Sequence, residues 1–133
     1  MYVQRIIITT IRKPRANSLN DELQWFGNSL GIFGERDKNK SCFRMFIELI
    51  KAVKQEQGLT SDELAQRLGL TRATVVHHLN TLMERGIVLH RQNEYIIRGD
   101  KLSALVEDIQ RDVERQLVEV RKAAEELDRL LEL

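Results

Sequence analysis

The chain is poor in the residues that interrupt or cross-link a fold. Its 133 residues include one proline, seven glycines and one cysteine. So little proline and glycine leaves little room for long linkers. Cys42 has no second cysteine to pair with, so an intrachain disulfide is excluded and a reducing compartment is expected. No apolar run approaches the ~20 residues that span a membrane, and Met1–Arg5 lacks a signal-peptide pattern. These absences predict a cytoplasmic protein without a membrane partner.

The sequence also lacks the patterns that carry catalysis. It has no glycine-rich phosphate loop, no nucleophile beside a suitable base and no cluster of metal ligands at a typical spacing. His77 and His78 are adjacent and would point about 100° apart on a helix, while His90 stands alone. Cys42 begins an apolar helical stripe and is expected to be packed and inert. We therefore predict a protein that is not an enzyme and needs no cofactor or metal.

What is present is the composition of a globular protein with an uneven charge. Hydrophobic residues make up 42% of the chain and charged residues 31%. The net charge of +1 combines +3 in residues 1–40, +2 in residues 41–98 and −4 in residues 99–133. Nucleic acid is therefore an acceptable partner for the basic front of the chain, and it would repel the acidic tail.

The first 40 residues predict an N-terminal extension. Tyr2–Ile11 is rich in β-branched residues and predicts a strand. Arg12–Arg15 follows as a basic turn that either touches a phosphate or a minor groove as an arm, or is merely solvated. Ser18 or Asn20 can cap a short helix. Its apolar residues are Leu23, Trp25, Phe26 and Leu30. Trp25 and Phe26 either line a ligand pocket or, as their helical spacing favours, pack in a core or a dimer interface.

Residues 41–98 predict a helix-turn-helix. Cys42–Val53 has apolar residues at three- and four-residue spacings, which is typical of one helix face. Thr60 and Glu63 form the pattern of a capping box at the start of the next helix. Gly69 can end that helix, and Thr71 can begin another almost at once. Two short helices joined so tightly must cross at a steep angle.

The third helix of this unit, predicted over Arg72–Arg85, has one apolar and one polar face. Val75, Leu79 and Leu82 should pack inward. The opposite face carries Arg72, Ala73, Val76, His77 and Asn80, with Thr74 at its margin.

A hairpin is predicted directly after this helix. Gly86 stops the helix, and Ile87 can fold back on Leu82 as the hydrophobic partner of a Schellman cap. Two short strands, Val88–Arg91 and Tyr95–Arg98, are then joined near Gln92 and Asn93. A hairpin in this place is a wing.

The last predicted helix, Lys101–Leu133 with Asp100 as its cap, carries a seven-residue apolar repeat. Sustained heptads indicate a coiled coil or a helical-bundle contact. A lone helix of this length would leave its apolar side in water, so a partner is expected. The predicted dimer interface consists of Leu102, Val106, Ile109, Val113, Leu117, Val120, Leu127 and Leu130.

The stretch Leu59–Leu79 and its continuation Asn80–Val88 resemble the helix-turn-helix and wing start of ArsR-like winged-helix repressors. The N-terminal portion, including Asn20–Gly31, looks like an extension of archaeal regulators of this type. The resemblance spans about residues 43–98. It implies a mainly α fold with a small β-sheet, divided into an extension (1–40), a winged helix-turn-helix (41–98) and a dimerisation helix (99–133). The metal-sensing members of that family carry cysteine ligands on a helix of the recognition unit, whereas residues 60–85 here contain none.

The resemblance further implies a homodimer that binds double-stranded DNA, with the Arg72–Arg85 helix in the major groove and the wing on the backbone. Asn80 suits adenine, Arg72 suits guanine or phosphate, and Val76 suits a thymine methyl. The alternative is a winged helix used for protein assembly, docking through its last helix. The nature of any small-molecule effector stays open. The predicted DNA-binding residues are Arg72, Ala73, Thr74, Val76, His77, Asn80, Arg91, Gln92 and Asn93.

Overall fold

The structure, a computed structural model, describes residues 3–13, 15, 18–33 and 40–133. It is mainly helical, with one antiparallel hairpin and a long last helix, which confirms the predicted fold class. In chain order the elements are α1 (Leu19–Ser29), α2 (Ser41–Lys54), α3 (Ser61–Leu68), α4 (Arg72–Glu84), β1 (Val88–Arg91), β2 (Glu94–Ile97) and α5 (Leu102–Leu131).

The predicted helix boundaries of the central unit are confirmed by the hydrogen bonds at their ends. The Glu63 amide donates to Thr60 Oγ1 at 3.1 Å, and the Thr60 amide donates to Glu63 Oε1 at 3.2 Å. This is the reciprocal capping box that the sequence predicts. Ser18 caps α1 by accepting from the Asp21 amide at 3.1 Å. The Ile87 amide donates to the Leu82 carbonyl at 3.0 Å, so the Schellman cap after α4 is also present.

The wing is a two-stranded hairpin, and Leu59 forms one further bridge to its second strand. β1 and β2 pair antiparallel, with Val88 opposite Ile97 and Arg91 opposite Glu94. The residue with positive φ at the tip is Gln92, at 55°. Leu59 adds a bridge that the sequence does not reveal: its amide donates to the Tyr95 carbonyl at 3.1 Å. The start of α3 is thereby tied to the wing.

The core is centred on the three helices of the central unit and includes residues from both flanking parts. Several of its side chains are fully buried. Leu30 and Ile32 join it from the α1 side, and Leu105 and Ile109 join it from α5. The predicted division at residues 40 and 99 stays a prediction, and one core cluster crosses both positions. The fully buried central side chains are Met45, Phe46, Leu49, Leu64, Val75, Leu79 and Leu82.

The predicted N-terminal strand is wrong for the described residues 3–13, which belong to no sheet. A strand needs a ladder of hydrogen bonds to a neighbouring strand. Here the Arg5 amide donates to the Glu84 carbonyl at 2.9 Å and the Thr9 amide donates to the Ser29 carbonyl at 2.8 Å. These acceptors belong to the ends of two helices, so the β-branched segment crosses helix ends within its own chain. Tyr2 of the predicted strand and Pro14 of the predicted basic turn lie outside the described residues.

Two expectations for the last helix are corrected. Asp100 is not its cap: Gly99 has φ of 90°, and the N-cap position falls on Lys101, without a side-chain cap bond. Ile109 does not face a partner, because it is only 4% exposed within the chain's own core. Leu102 and Val113 are half-buried against the same core. The first turns of α5 therefore pack on their own domain.

Beyond Val113 the side chains of α5 are exposed. Leu117 is 55% exposed, Val120 51%, Leu127 54% and Leu130 61%. Val106, nearer the domain, is 40% exposed. The apolar stripe that remains uncovered is thus mainly the distal part of the predicted one. Within the described residues, no helix is both long and apolar enough to cross a membrane.

Candidate nucleic-acid interface

The turn between α3 and α4 sets the angle at which the two helices meet. Gly69 takes φ of 65°, and no atom lies within 4 Å of where its Cβ would stand. The left-handed backbone alone therefore favours glycine here. Thr71 then caps α4 by accepting from the Thr74 amide at 3.2 Å. Arg44 of α2 donates to the Leu68 carbonyl at 2.8 Å, a contact that fastens the end of α3 to α2.

α4 buries one face and presents the other. Its inward face is the fully buried row of Val75, Leu79 and Leu82. On the outward face the predicted contact residues Arg72, Ala73, His77 and Asn80 are all exposed. Two predicted residues are less accessible. Val76 is half-buried, and half-buried Thr74 accepts a hydrogen bond at its hydroxyl from Thr71 at 2.9 Å. Arg72, His77 and Asn80 are therefore the polar side chains best placed to reach a ligand.

The outward face of α4 is held in place by a hydrogen bond on its flank. His78 Nε2 lies 2.7 Å from the Ser41 hydroxyl at the start of α2. His78 is half-buried, and its ring centroid lies 5.7 Å from that of His77. The two residues of the bond are 37 apart in the chain, and nothing in the local sequence pattern signals their contact.

The wing supplies a second exposed polar group. Arg91, Gln92 and Asn93, all predicted contact residues, are exposed at its tip. Behind them the rings of His90 and Tyr95 stack with centroids 4.2 Å apart and planes 5° apart. This stack braces the hairpin below its tip. The arrangement offers one cation, Arg91, and two amides that a phosphate oxygen can accept hydrogen bonds from.

Arg98, directly after the wing, joins α4 to α5. It donates to the Gly86 carbonyl at 3.4 Å and to Asp112 Oδ1 at 3.1 Å. Gln4 also donates to Asp112, at 2.9 Å. Asp112 is 7% exposed, and the hydrogen bond from Arg98 is the main cause that lowers its pKa to about 2. Sequence reasoning missed this junction, because its members lie far apart in the chain.

The basic residues before α1 lie beside Trp25. Lys13 Nζ is 5.4 Å from the centre of the Trp25 ring and 3.3 Å from Glu22 Oε2. Trp25 Nε1 donates to the Ile11 carbonyl at 3.1 Å. Trp25 lines an open surface cavity of about 550 Å³ that also contains exposed Arg12 and Arg15. Phe26 instead points into the core, where its ring stacks on Phe46.

The described residues hold no group of three or more His, Cys, Asp or Glu side chains arranged for a metal. Cys42 is 4% exposed, and its thiol donates to the Ile32 carbonyl at 3.5 Å. A buried thiol with this contact behaves as a packing residue. The outer face of α4 and the tip of the wing expose polar and basic side chains that suit recognition of a ligand.

These elements define the class of the protein: a winged helix-turn-helix, in which a short helix, a tight turn and a second helix are followed by a β-hairpin. Residues 47–92, about a third of the chain, match the model of the IclR helix-turn-helix domain. The helix-turn-helix predicted from the sequence is therefore confirmed, and a domain of this type is a DNA-binding unit of transcription regulators. The assignment of the chain to ArsR-like, archaeal regulators stays a prediction.

Among solved structures, the chain is similar to a transcriptional regulator of the MarR family from Rhodococcus sp. RHA1. The two share 20% sequence identity with a TM-score of 0.38, over 85% of this chain and 96% of that one. The comparison with curated proteins gave no match.

Proposed function

We propose that the protein is a homodimeric transcription regulator that binds double-stranded DNA in a sequence-specific manner. The observation that carries this proposal is the division of α4. Its inner row is fully buried, while Arg72, His77 and Asn80 project from the opposite side. A helix fixed along its whole inner face presents its outer side chains in a constant geometry, which reading base edges requires. α4 would enter the major groove, with the wing on the backbone.

The proposed division of roles follows from the chemistry of the exposed groups. Asn80 would bond adenine through its amide, and Arg72 would bond guanine or a phosphate near the start of the helix. Val76 keeps its proposed contact with a thymine methyl only at the helix margin, since it is half-buried. Arg91, Gln92 and Asn93 would hold the backbone and thereby set affinity without setting sequence preference. The ArsR-like assignment and a cytoplasmic location belong to the same proposal.

The homodimer is proposed from the uncovered stripe on α5. Leu117, Val120 and Leu127 are each more than half exposed on one side of the helix. The charged side of the same helix forms ion pairs within itself: Arg115 with Asp112, Lys122 with Glu119, and Arg129 with Glu126. An apolar stripe backed by self-paired charges suits a matching helix of a second copy. Two α4 helices would then meet DNA one helical turn apart, about 34–36 Å.

A binding selection on random duplex DNA tests this function. The wild-type protein is expected to enrich a pseudo-palindromic motif. Asn80→Ala should cost about 1–3 kcal/mol at a single base position and relax the preference there. The matched control is Gln66→Ala, at an exposed position of α3 outside the proposed contact set. This variant should enrich the same motif as the wild-type protein. A wild-type protein that enriches no motif, and binds duplex no better at low salt, would contradict the proposal.

The second candidate function is a protein-assembly module that docks through α5. It is favoured by the same exposed stripe, because nothing in that stripe requires DNA. Salt separates the two functions: groove binding weakens steeply with salt as counterions are released, and an apolar helix contact hardly responds.

A further inference from the structure

The segment before α1 keeps apolar side chains on the surface. Val3 is 50% exposed and Ile8 62%, while Ile7 and Ile11 are 38% and 39% exposed. Among the apolar residues of the described part, 3–11, only Ile6 packs against the core. β-branched residues favour a pleated, half-buried strand. The segment therefore has the composition of a strand, and the described residues of its own chain offer it no neighbouring strand.

The hydrogen bonds of its backbone are made by odd-numbered residues. The Arg5 and Thr9 amides donate to helix ends, and the Ile11 carbonyl accepts from Trp25. These are all odd-numbered residues. Successive residues of an extended chain direct their backbone groups to opposite sides. Within the part of the chain that the structure describes, no hydrogen bond uses the backbone groups of Ile6 or Ile8. One edge of the segment is thus open to a further strand.

The pattern of side chains is symmetric about Ile7. Reading outward, Ile7 is flanked by Ile6 and Ile8, then by two polar residues on each side, then by Val3 and Ile11. An antiparallel pair of such segments places apolar opposite apolar and polar opposite polar. Gln4 of one copy lies opposite Thr10 of the other, and Arg5 lies opposite Thr9. No charged residue faces a like charge, which favours the pairing.

We propose that residues 3–11 pair antiparallel with the same segment of a second copy, about a two-fold axis at Ile7. Ile7 then faces Ile7 of the partner subunit, and Ile6 and Ile8 exchange backbone hydrogen bonds with Ile8 and Ile6 of the partner subunit. The occupant is a second copy because the palindromic pattern is complementary to itself. The proposal deepens the homodimer proposed above by adding a contact separate from α5.

Disulfide cross-linking tests the register. Opposed residues without a mutual backbone hydrogen bond have Cα atoms about 4.5 Å apart, within disulfide range. In a Cys42→Ser background, Ile7→Cys should give a covalent dimer on mild oxidation. Thr10→Cys is the control, because the two copies of residue 10 would be about 20 Å apart in this register. Equal cross-linking of the two variants would overturn the register.

Amide hydrogen exchange of the wild-type protein provides a test that needs no substitution. The Ile6 and Ile8 amides should be protected in the dimer and exchange at least about tenfold faster in dilute monomer. The Arg5 and Thr9 amides should stay protected in both. A protein that is dimeric by light scattering, yet shows no Ile7→Cys cross-link and no protection at Ile6 and Ile8, overturns this pairing alone. A protein that is monomeric at all concentrations overturns the homodimer as well.

Discussion

Arg98 and Asp112 form a two-pronged ion pair that links the base of the wing to α5. Arg98 Nη2 lies 3.1 Å from Asp112 Oδ1, and Nη1 bonds the second carboxylate oxygen. Arg98 also donates to the Gly86 carbonyl, shortly after the end of α4. A single guanidinium therefore joins the residues just after α4 to the last helix, and its own backbone directly follows the wing. A fork-to-fork pair fixes direction as well as distance, so it sets the relative orientation of these elements.

The first prediction concerns pH. The folded-state pKa of Asp112 is about 2, below the ordinary value of 3.8. A lowered carboxyl pKa contributes stability above the ordinary value, and that contribution is lost as the pH falls from about 4 to about 2. Asp112→Asn should therefore lower the free energy of unfolding by about 2 kcal/mol at pH 7 and flatten its dependence on pH in that window.

Urea denaturation between pH 2 and 7 measures this effect. Asp128→Asn, an exposed site on the same helix, is the control and should change stability by less than about 0.5 kcal/mol. If Asp112→Asn lowered the free energy of unfolding no more than Asp128→Asn does, the ion pair between Arg98 and Asp112 would contribute nothing to stability.

The second prediction separates the two sides of α5. Val118 is 53% exposed and Val120 51%, so they match in type and exposure but differ in direction on the helix. Val120→Asp places a charge in the proposed apolar seam and should weaken dimerisation at least about tenfold. Val118→Asp should leave it unchanged. Sedimentation equilibrium of both variants decides this, and similar dissociation constants would place the dimer contact elsewhere.

The third prediction concerns the wing. Arg91→Ala should weaken binding to all DNA sequences alike and reduce the slope of log affinity against log salt by about one unit. The reason is that a phosphate contact releases one counterion and carries no sequence information. Lys122→Ala, which removes an exposed cation from α5, is the control and should leave the slope unchanged. A changed motif in Arg91→Ala would instead make Arg91 a base contact.

The fourth prediction isolates backbone strain at the turn between α3 and α4. A methyl group at Gly69 meets no atom within 4 Å, but φ of 65° is unfavourable for alanine. Gly69→Ala should therefore cost about 1 kcal/mol of stability, and Gly69→Asn should cost less because asparagine tolerates this region. Thermal unfolding of both variants measures the difference. Identical melting temperatures would show that the turn relaxes.

The fifth prediction concerns Cys42. Its thiol is buried and donates to a carbonyl that a serine hydroxyl can also bond. Cys42→Ser should keep DNA affinity within about threefold, and so should treatment with a chelator. Loss of binding after either change would reveal a metal or redox role.

Local signals in the sequence were sufficient for the helix-turn-helix. The capping box at Thr60, the left-handed Gly69 and the cap at Thr71 are determined by neighbouring residues, and each is found as predicted. The outward face of α4 follows from the helical period in the same way. Val76 is the exception, since its burial depends on what packs beside the helix margin.

The sequence was a poor guide where distant residues decide the structure. The Ser41–His78 bond and the Arg98–Asp112 pair bring together residues that no local pattern relates. The heptads of α5 predict one continuous interface, because periodicity shows that a face is apolar and does not show what covers it. Leu105 and Ile109 are covered by the domain itself.

The helical turns of α5 consequently differ in burial: the first turns pack in the core, and the later turns are exposed to solvent. Its first turns cannot melt without opening the core, because Leu105 and Ile109 belong to that core. Beyond Val113 the side chains are exposed, and a helix in a protein gains most of its stability from packing its apolar face. In dilute monomer the distal turns should fray and be trimmed by proteases while the domain stays intact. Ordering of those turns would then be coupled to association in the proposed homodimer, and the concentration of the protein would control how much of its own chain is folded.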